Sequence, residues 1–265
     1  MTYDNFPKDI KEILNSKNGL IDDIGMSNAN VILYENMVLK ISANYIESQH
    51  EYAMLEWLVD KLPIPQIIGY AQNNENSYIL MSRIQGQLAC SDDWLTSPKQ
   101  LMKILAEGLK ALWEIPMLNC PYNLSLDHKL NIEEQKIQQG LYKKPTGEDS
   151  TYHNSGFNSA EDLLYWLKNN KPDEDLVFSH GDLCLPNIFI NQNKINGFID
   201  LGQSGIADRY RDIALCYRSL KDNLSGVYSG KIYSNFNLSD FFDALDISPD
   251  YDKIAYYILL DELYE

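Results

Sequence analysis

Phe178-Ser179-His180-Gly181-Asp182-Leu183-Cys184-Leu185-Pro186-Asn187-Ile188-Phe189-Ile190 sets a carboxylate and an amide five positions apart, in a loop between two apolar, strand-like runs. Gly197-Phe198-Ile199-Asp200-Leu201-Gly202 follows, with Asp200 thirteen residues after Asn187 at the end of a second apolar run. Oxygen donors such as Asn187 and Asp200 suit Mg²⁺, a hard cation that keeps several waters and binds alongside nucleotide phosphates. Asp182 is then left to accept the proton of an attacking hydroxyl. His180-Gly181-Asp182 alone would suit a turn whose aspartate caps local backbone. Asn187 and Asp200 at this spacing make a chemical role the better reading, because each member then has a task.

Working outward, the first ~90 residues read as a small α+β unit from their alternating patterns. Val31-Ile32-Leu33-Tyr34 and Met37-Val38-Leu39-Lys40-Ile41 are strand-like, with Glu35-Asn36 as their turn. Residues 47–60 carry Tyr52, Leu55, Leu58 and Val59 at helical spacing and end before Pro63. Ile64 to Tyr70 and Tyr78 to Met81 predict two more strands around the polar run Gln72 to Asn76. A boundary falls near Gly86, giving units of 1–84 and 85–265.

The remainder reads as mainly helical. Ser97-Pro98 starts a helix, with proline at the first helical position, and its stripe Leu101, Ile104, Leu105, Leu109, Leu112, Trp113 stops at Pro116. Ser159-Ala160-Glu161-Asp162 has the spacing of a capping box with Asp in place of Glu, opening a helix through Trp166. Residues 140–157 are polar and read as a loop, and Ile254 to Leu263 returns to helical periodicity.

The chain's 265 residues suffice for one large domain or two lobes sharing a cleft. Its 22 Lys and Arg against 38 Asp and Glu give a net charge of −16, which argues against a nucleic-acid partner. The same balance favours a cationic partner, although acidity also serves solubility alone. Cysteines at 90, 120, 184 and 216 form no short metal-binding or disulfide pattern. The N-terminus has no basic region followed by an apolar run, and no stretch reaches the ~18 apolar residues needed to cross a bilayer. The expectation is a cytoplasmic, reduced protein without a membrane partner.

His-x-Asp-(x)4-Asn followed by Asp-Leu-Gly resembles the catalytic and metal-binding loops of protein-kinase-like enzymes. With Ala207-Asp208, Asp212-Ile213-Ala214 and Tyr256-Tyr257-Ile258-Leu259-Leu260-Asp261-Glu262-Leu263 added, the chain is similar to the bacterial aminoglycoside 3′-phosphotransferases. Gly25-Met26-Ser27 and Lys61-Leu62-Pro63-Ile64-Pro65 carry the likeness into the N-terminal part. The resemblance spans nearly the whole chain and is weakest at 85–95 and 135–157. It implies an α+β, protein-kinase-like bilobal fold, with a small β-rich N-lobe and a larger, mainly helical C-lobe.

The resemblance also implies an ATP- and Mg²⁺-dependent transfer of phosphate to a hydroxyl of an aminoglycoside, with 3′ as the expected position. By it, Asp182 is the catalytic base, Asn187 and Asp200 are the Mg²⁺ ligands, and His180 supports the loop through hydrogen bonds. Lys40 contacts the α- and β-phosphates with Glu51 as its ion-pair partner. Met26 and Ser27 replace a glycine-rich phosphate loop, whose turn amides can still grip phosphate. Ser82 and Ile84 lie in the inter-lobe hinge, whose backbone meets adenine. Asp149, Arg218, Asp222, Asp261 and Glu262 fall on the side that binds the cationic drug. A monomer or weak dimer is expected.

Several positions depart from the family pattern. Val38 stands where some members stack an aromatic on the base, and Leu185 where several carry an acid. Gln203 replaces a common Arg, Asn223 loses an acid, and Tyr264-Glu265 replaces a terminal Phe. These changes bear on drug spectrum more than on the reaction. A kinase of another small metabolite (choline, homoserine or a sugar) and a catalytically silent binding module stay open as alternatives. The metabolite kinases do not usually end in Leu-Asp-Glu-Leu, and a silent module would normally have lost one of Asp182, Asn187, Asp200 and Lys40.

Overall fold

The computed structural model describes residues 6–15, 19–22, 29–43, 45–141 and 156–263. Its contacts define two compact units, Met1–Leu88 with Asn187–Gln203, and Ala89–Pro186 with Ser204–Glu265. The stretch carrying Asn187 and Asp200 therefore packs with the N-terminal unit, although it is remote in sequence.

In the first unit, helix α1 (Lys8–Leu14) precedes an antiparallel sheet in the order β1-β2-β3-β5-β4. The strands are β1 (Leu20–Asp22), β2 (Asn30–Leu33), β3 (Met37–Ser42), β4 (Ile67–Gln72) and β5 (Ser77–Ser82). β2 and β3 close where Tyr34 N–H donates to Met37 O at 2.8 Å, so Glu35-Asn36 is the turn expected. β3 alternates strictly: Met37, Leu39 and Ile41 enter a core with Ile10, Leu14, Tyr34, Tyr78 and Leu80, and Lys40 points to the opposite face.

Helix α2 spans Tyr45–Trp57 and buries Ser48, Glu51, Met54 and Leu55, one face of a 3.6-residue period. The strand expected from Ile64 starts at Ile67. Pro65 has no N–H to offer a ladder, and pairing resumes where Ser82 N–H donates to Gln66 O at 2.8 Å. Asn73 builds the β4–β5 turn by accepting from the N–H groups of Glu75 and Asn76 at 3.0 and 2.8 Å. A second sheet of this unit joins β6 (Gln87–Leu88), β8 (Ile188–Asn191) and β9 (Lys194–Phe198). The β8–β9 turn puts Gln192 and Asn193 at φ 50° and 62°, the double left-handed geometry of a tight hairpin.

The second unit is mainly helical, with α3 (Asp92–Leu95), α4 (Pro98–Trp113), α5 (Leu126–Gln138), α6 (Ala160–Asn169), α7 (Arg209–Ser225), α8 (Ser239–Leu245) and α9 (Tyr251–Asp261). Strands β7 (Leu176–Ser179) and β10 (Gly205–Asp208) pair antiparallel within it. The α4 stripe is buried as its spacing predicts, through Leu101, Ile104, Leu105, Leu109 and Leu112. Ser159 caps α6, accepting from Asp162 N–H at 3.2 Å, as the capping-box spacing indicates. Most of the polar segment 140–157 lies outside the described residues. Among those described, no helix is long and apolar enough to cross a membrane.

Candidate active site

In the second unit, β7 ends at Ser179 and the chain turns through His180-Gly181-Asp182. Gly181 sits at φ 85°, a left-handed conformation that most side chains resist, and this sharp turn gives its residue type a backbone reason. The turn is held from below by Asp212 on α7. Its carboxylate accepts the His180 N–H at 2.8 Å and the Gly181 N–H at 2.9 Å, and Asp212 is fully buried. Hydrogen bonds to a charged acceptor contribute about 1.5–3 kcal/mol each, so the carboxylate fixes the loop firmly. Burial pushes the Asp212 carboxyl up from its ordinary pKa, and the His180 ring and these amides pull against it.

Asp182 N–H donates to His180 Nδ1 at 3.3 Å, and the loop closes with Cys184 N–H on Asp182 O at 2.9 Å. Ser219 Oγ of α7 accepts the Leu185 N–H at 3.0 Å. The result is a half-buried carboxylate on a backbone whose N–H groups at 180, 181, 182, 184 and 185 all have partners. A base so held can align an acceptor hydroxyl without reorganising.

In the first unit, Lys40 is the charged centre. Its Nζ lies 2.8 Å from Glu51 Oε2 and 2.8 Å from Asp200 Oδ1, so strand β3, helix α2 and the loop after β9 converge on one ammonium. Burial works against charge on Lys40, but Glu51 and Asp200 outweigh it and hold the ammonium above its ordinary pKa. Asp200 adopts φ 62°, a left-handed conformation that aspartate and asparagine tolerate better than other non-glycine residues. The next loop residue but one, Gly202, runs close to α2: a Cβ there would lie 2.9 Å from Glu47 Cγ.

Ile199 N–H donates to Asn187 O at 3.0 Å, continuing the β8–β9 pairing that sets Ile188 opposite Phe198. Asn187 thereby stands opposite Ile199, the residue before Asp200. One amide oxygen and one carboxylate form a hard donor set, and Mg²⁺ takes only one or two protein oxygens beside water and phosphate. The pair fits that ion. Among the described residues no group of three His, Cys, Asp or Glu gathers as a rival metal site.

The acidic tail is less free than its sequence suggests. Asp261 ends α9 with its carboxylate 2.5 Å from Arg218 Nη2 of α7, both largely buried. Burial raises the Asp261 carboxyl pKa and the neighbouring guanidinium opposes it. Glu262 is buried, and Asp222 is half-buried one helical turn beyond Arg218. Ser82 already spends its backbone N–H and its Oγ on Gln66, and Ile84 packs where a Cβ on Gly197 would stand. Met26, Ser27 and Asp149 lie outside the described residues, as do Tyr264 and Glu265.

The sequence model of the phosphotransferase enzyme family matches residues 22–237. The aminoglycoside 3′-phosphotransferase of Enterococcus faecalis is 34% identical over 267 residues, covering 97% of this chain and 97% of its own. This chain belongs to the aminoglycoside 3′-phosphotransferase family. The relative from Staphylococcus aureus is also 34% identical, over 266 residues and 97% of each chain. Among solved structures, the type VIII aminoglycoside-3′-phosphotransferase superposes with a TM-score of 0.78 at 22% identity, covering 97% of both chains. The aminoglycoside phosphotransferase APH(3'')-Id of Streptomyces rimosus gives 0.77 at 21% identity, over 96% of this chain and 95% of its own. The expected kinase-like α+β architecture is borne out.

Asp212 and Ser219 are the residues that reading the chain missed as parts of the site. Asp212 was visible inside Asp212-Ile213-Ala214, and a carboxylate opening an apolar helical run was its signal. Ser219 had none.

Proposed function

We propose that this protein transfers the γ-phosphoryl group of ATP to a hydroxyl, expected at the 3′ position, of an aminoglycoside, and so confers resistance to it. The observation that carries the reading is the Lys40 ammonium held 2.8 Å from both Glu51 and Asp200. A strand lysine paired to a helix glutamate is the arrangement that grips nucleotide phosphates in kinase-like enzymes. Asn187 and Asp200 would hold Mg²⁺, which when bound neutralises charge on the phosphates. Asp182 orients the acceptor hydroxyl and takes its proton, on a loop that Asp212 and Ser219 keep from yielding. Membership of a family whose relatives are named aminoglycoside 3′-phosphotransferases supports the acceptor class. So does the −16 charge, since a polycationic sugar is drawn to an acidic surface.

The deciding experiment couples ADP release to turnover in purified protein with ATP, Mg²⁺ and a panel of aminoglycosides and metabolites. Kanamycin or neomycin should drive ADP release, and ³¹P NMR of the product should place the phosphate at 3′. Release with choline, homoserine or a sugar alone would replace the acceptor. Silence across the panel would sink the kinase reading.

A further inference from the structure

Asp208 lies outside the groups assigned to the reaction, yet it is completely buried and joins two elements of the second unit. As the N-cap of α7 it accepts the Tyr210 N–H at 3.1 Å. Its other oxygen, Oδ2, accepts the Tyr257 hydroxyl at 2.9 Å and lies 3.1 Å from Lys253 Nζ, both on α9. Lys253 also donates to Asp173 O and lies over the Tyr210 ring. Farther along the same two helices, Arg218 of α7 meets Asp261 of α9 at 2.5 Å. α9 is therefore pinned to α7 at two points, and between them Tyr256 donates to Leu167 O of α6 at 2.9 Å.

A helix fixed at one end could still slide or rotate by part of a turn. Fixed at both, it presents its last turn in one register, and that turn carries Asp261 and Glu262. We propose that Asp208 is a positioning residue for acceptor recognition: by capping α7 while binding Tyr257 and Lys253, it sets where α9 presents Asp261 and Glu262. This rests on the aminoglycoside kinase reading for its substrate, but the clamp itself does not. Asp208 touches neither nucleotide nor acceptor in this assignment. Its effect is expected on the acceptor's KM and not on that of ATP.

Two variants separate positioning from simple stability. Tyr257→Phe removes one hydroxyl and keeps the ring, and Lys253→Met keeps the stem and removes the charge. Each should raise the kanamycin KM about fivefold to tenfold, with the ATP KM and kcat within about twofold, because loss of one such hydrogen bond is worth about that factor. Hydrogen exchange supplies a readout independent of activity: both variants should speed exchange in residues 258–263, beyond the altered contact. Unchanged exchange in that last turn would overturn the clamp, whatever the kinetics. Unchanged kanamycin KM with faster exchange would overturn the recognition role. If the wild-type protein turned over no aminoglycoside, the acceptor reading would fail, and the exchange data would still decide the clamp.

Discussion

Lys40 Nζ and Asp200 Oδ1 stand 2.8 Å apart although 160 residues separate them in the chain. The contact ties strand β3 to the loop after β9, which in the proposed function supply the phosphate-binding cation and a metal-binding oxygen. With Glu51 on the other side, the ammonium serves two carboxylates, and neither is buried without a counter-charge.

Removing that cation should be costly in two ways. Lys40→Met leaves Glu51 buried and unpaired, for which a stability loss of about 3 kcal/mol is expected in urea denaturation. The ATP KM should rise at least about tenfold through the lost phosphate contact. A stability change below about 0.5 kcal/mol would show that the pair is not a buried one in solution.

Asp182→Asn keeps the side chain's shape and removes its basicity. The expected result is a fall in kcat of about 10²–10⁴, with nucleotide affinity by fluorescence titration within about twofold. Retained turnover would remove Asp182 from its role.

Asp212→Asn tests the support beneath that loop. An amide has one carbonyl oxygen where the carboxylate offers two, so one of the His180 and Gly181 N–H groups loses its acceptor. A cost of about 2 kcal/mol in stability is expected. A drop in kcat at constant ATP KM should accompany it, and kcat equal to wild type would make the contact purely structural.

Alkaline titration should expose the α9 contacts. Burial first, then the Asp208 carboxylate, hold the Tyr257 phenol above its ordinary pKa of 10.0. The folded chain therefore binds this proton more tightly than the unfolded chain. The stabilisation is whole below about pH 10 and is lost as pH climbs past it. Lys40 carries the same sign, since its folded pKa is also raised. Melting temperatures from pH 8 to 11 should fall less steeply in Tyr257→Phe than in wild type, and parallel curves would refute the assignment.

Much of the fold was legible because its signals are local. The run Met37-Val38-Leu39-Lys40-Ile41 read as a strand from its residue types, and the α4 stripe gave its buried side. Helix α7 was harder to read: Arg211 and Asp212 are buried charges where an amphipathic pattern calls for apolar residues. α9 begins at Tyr251, three residues before the periodicity shows, because Asp250 caps it by accepting the Lys253 N–H at 2.9 Å. β6, only two residues long, has no pattern of its own and forms because β8 offers an edge.

The chain alone singled out the groups proposed to carry the chemistry: Asp182, Asn187 and Asp200 at their spacing, and a strand lysine followed by a helix glutamate. Tertiary structure decided how those groups are held. It packed residues 187–203 with the first 88, set Asp212 under the His180-Gly181-Asp182 turn, and gave Asp261 to Arg218. The reason is physical. Side-chain type and backbone period are written residue by residue, whereas the partner of a buried charge is chosen by whichever elements fold against it, across 31 residues for Gly181 and Asp212, 43 for Arg218 and Asp261, and 160 for Lys40 and Asp200.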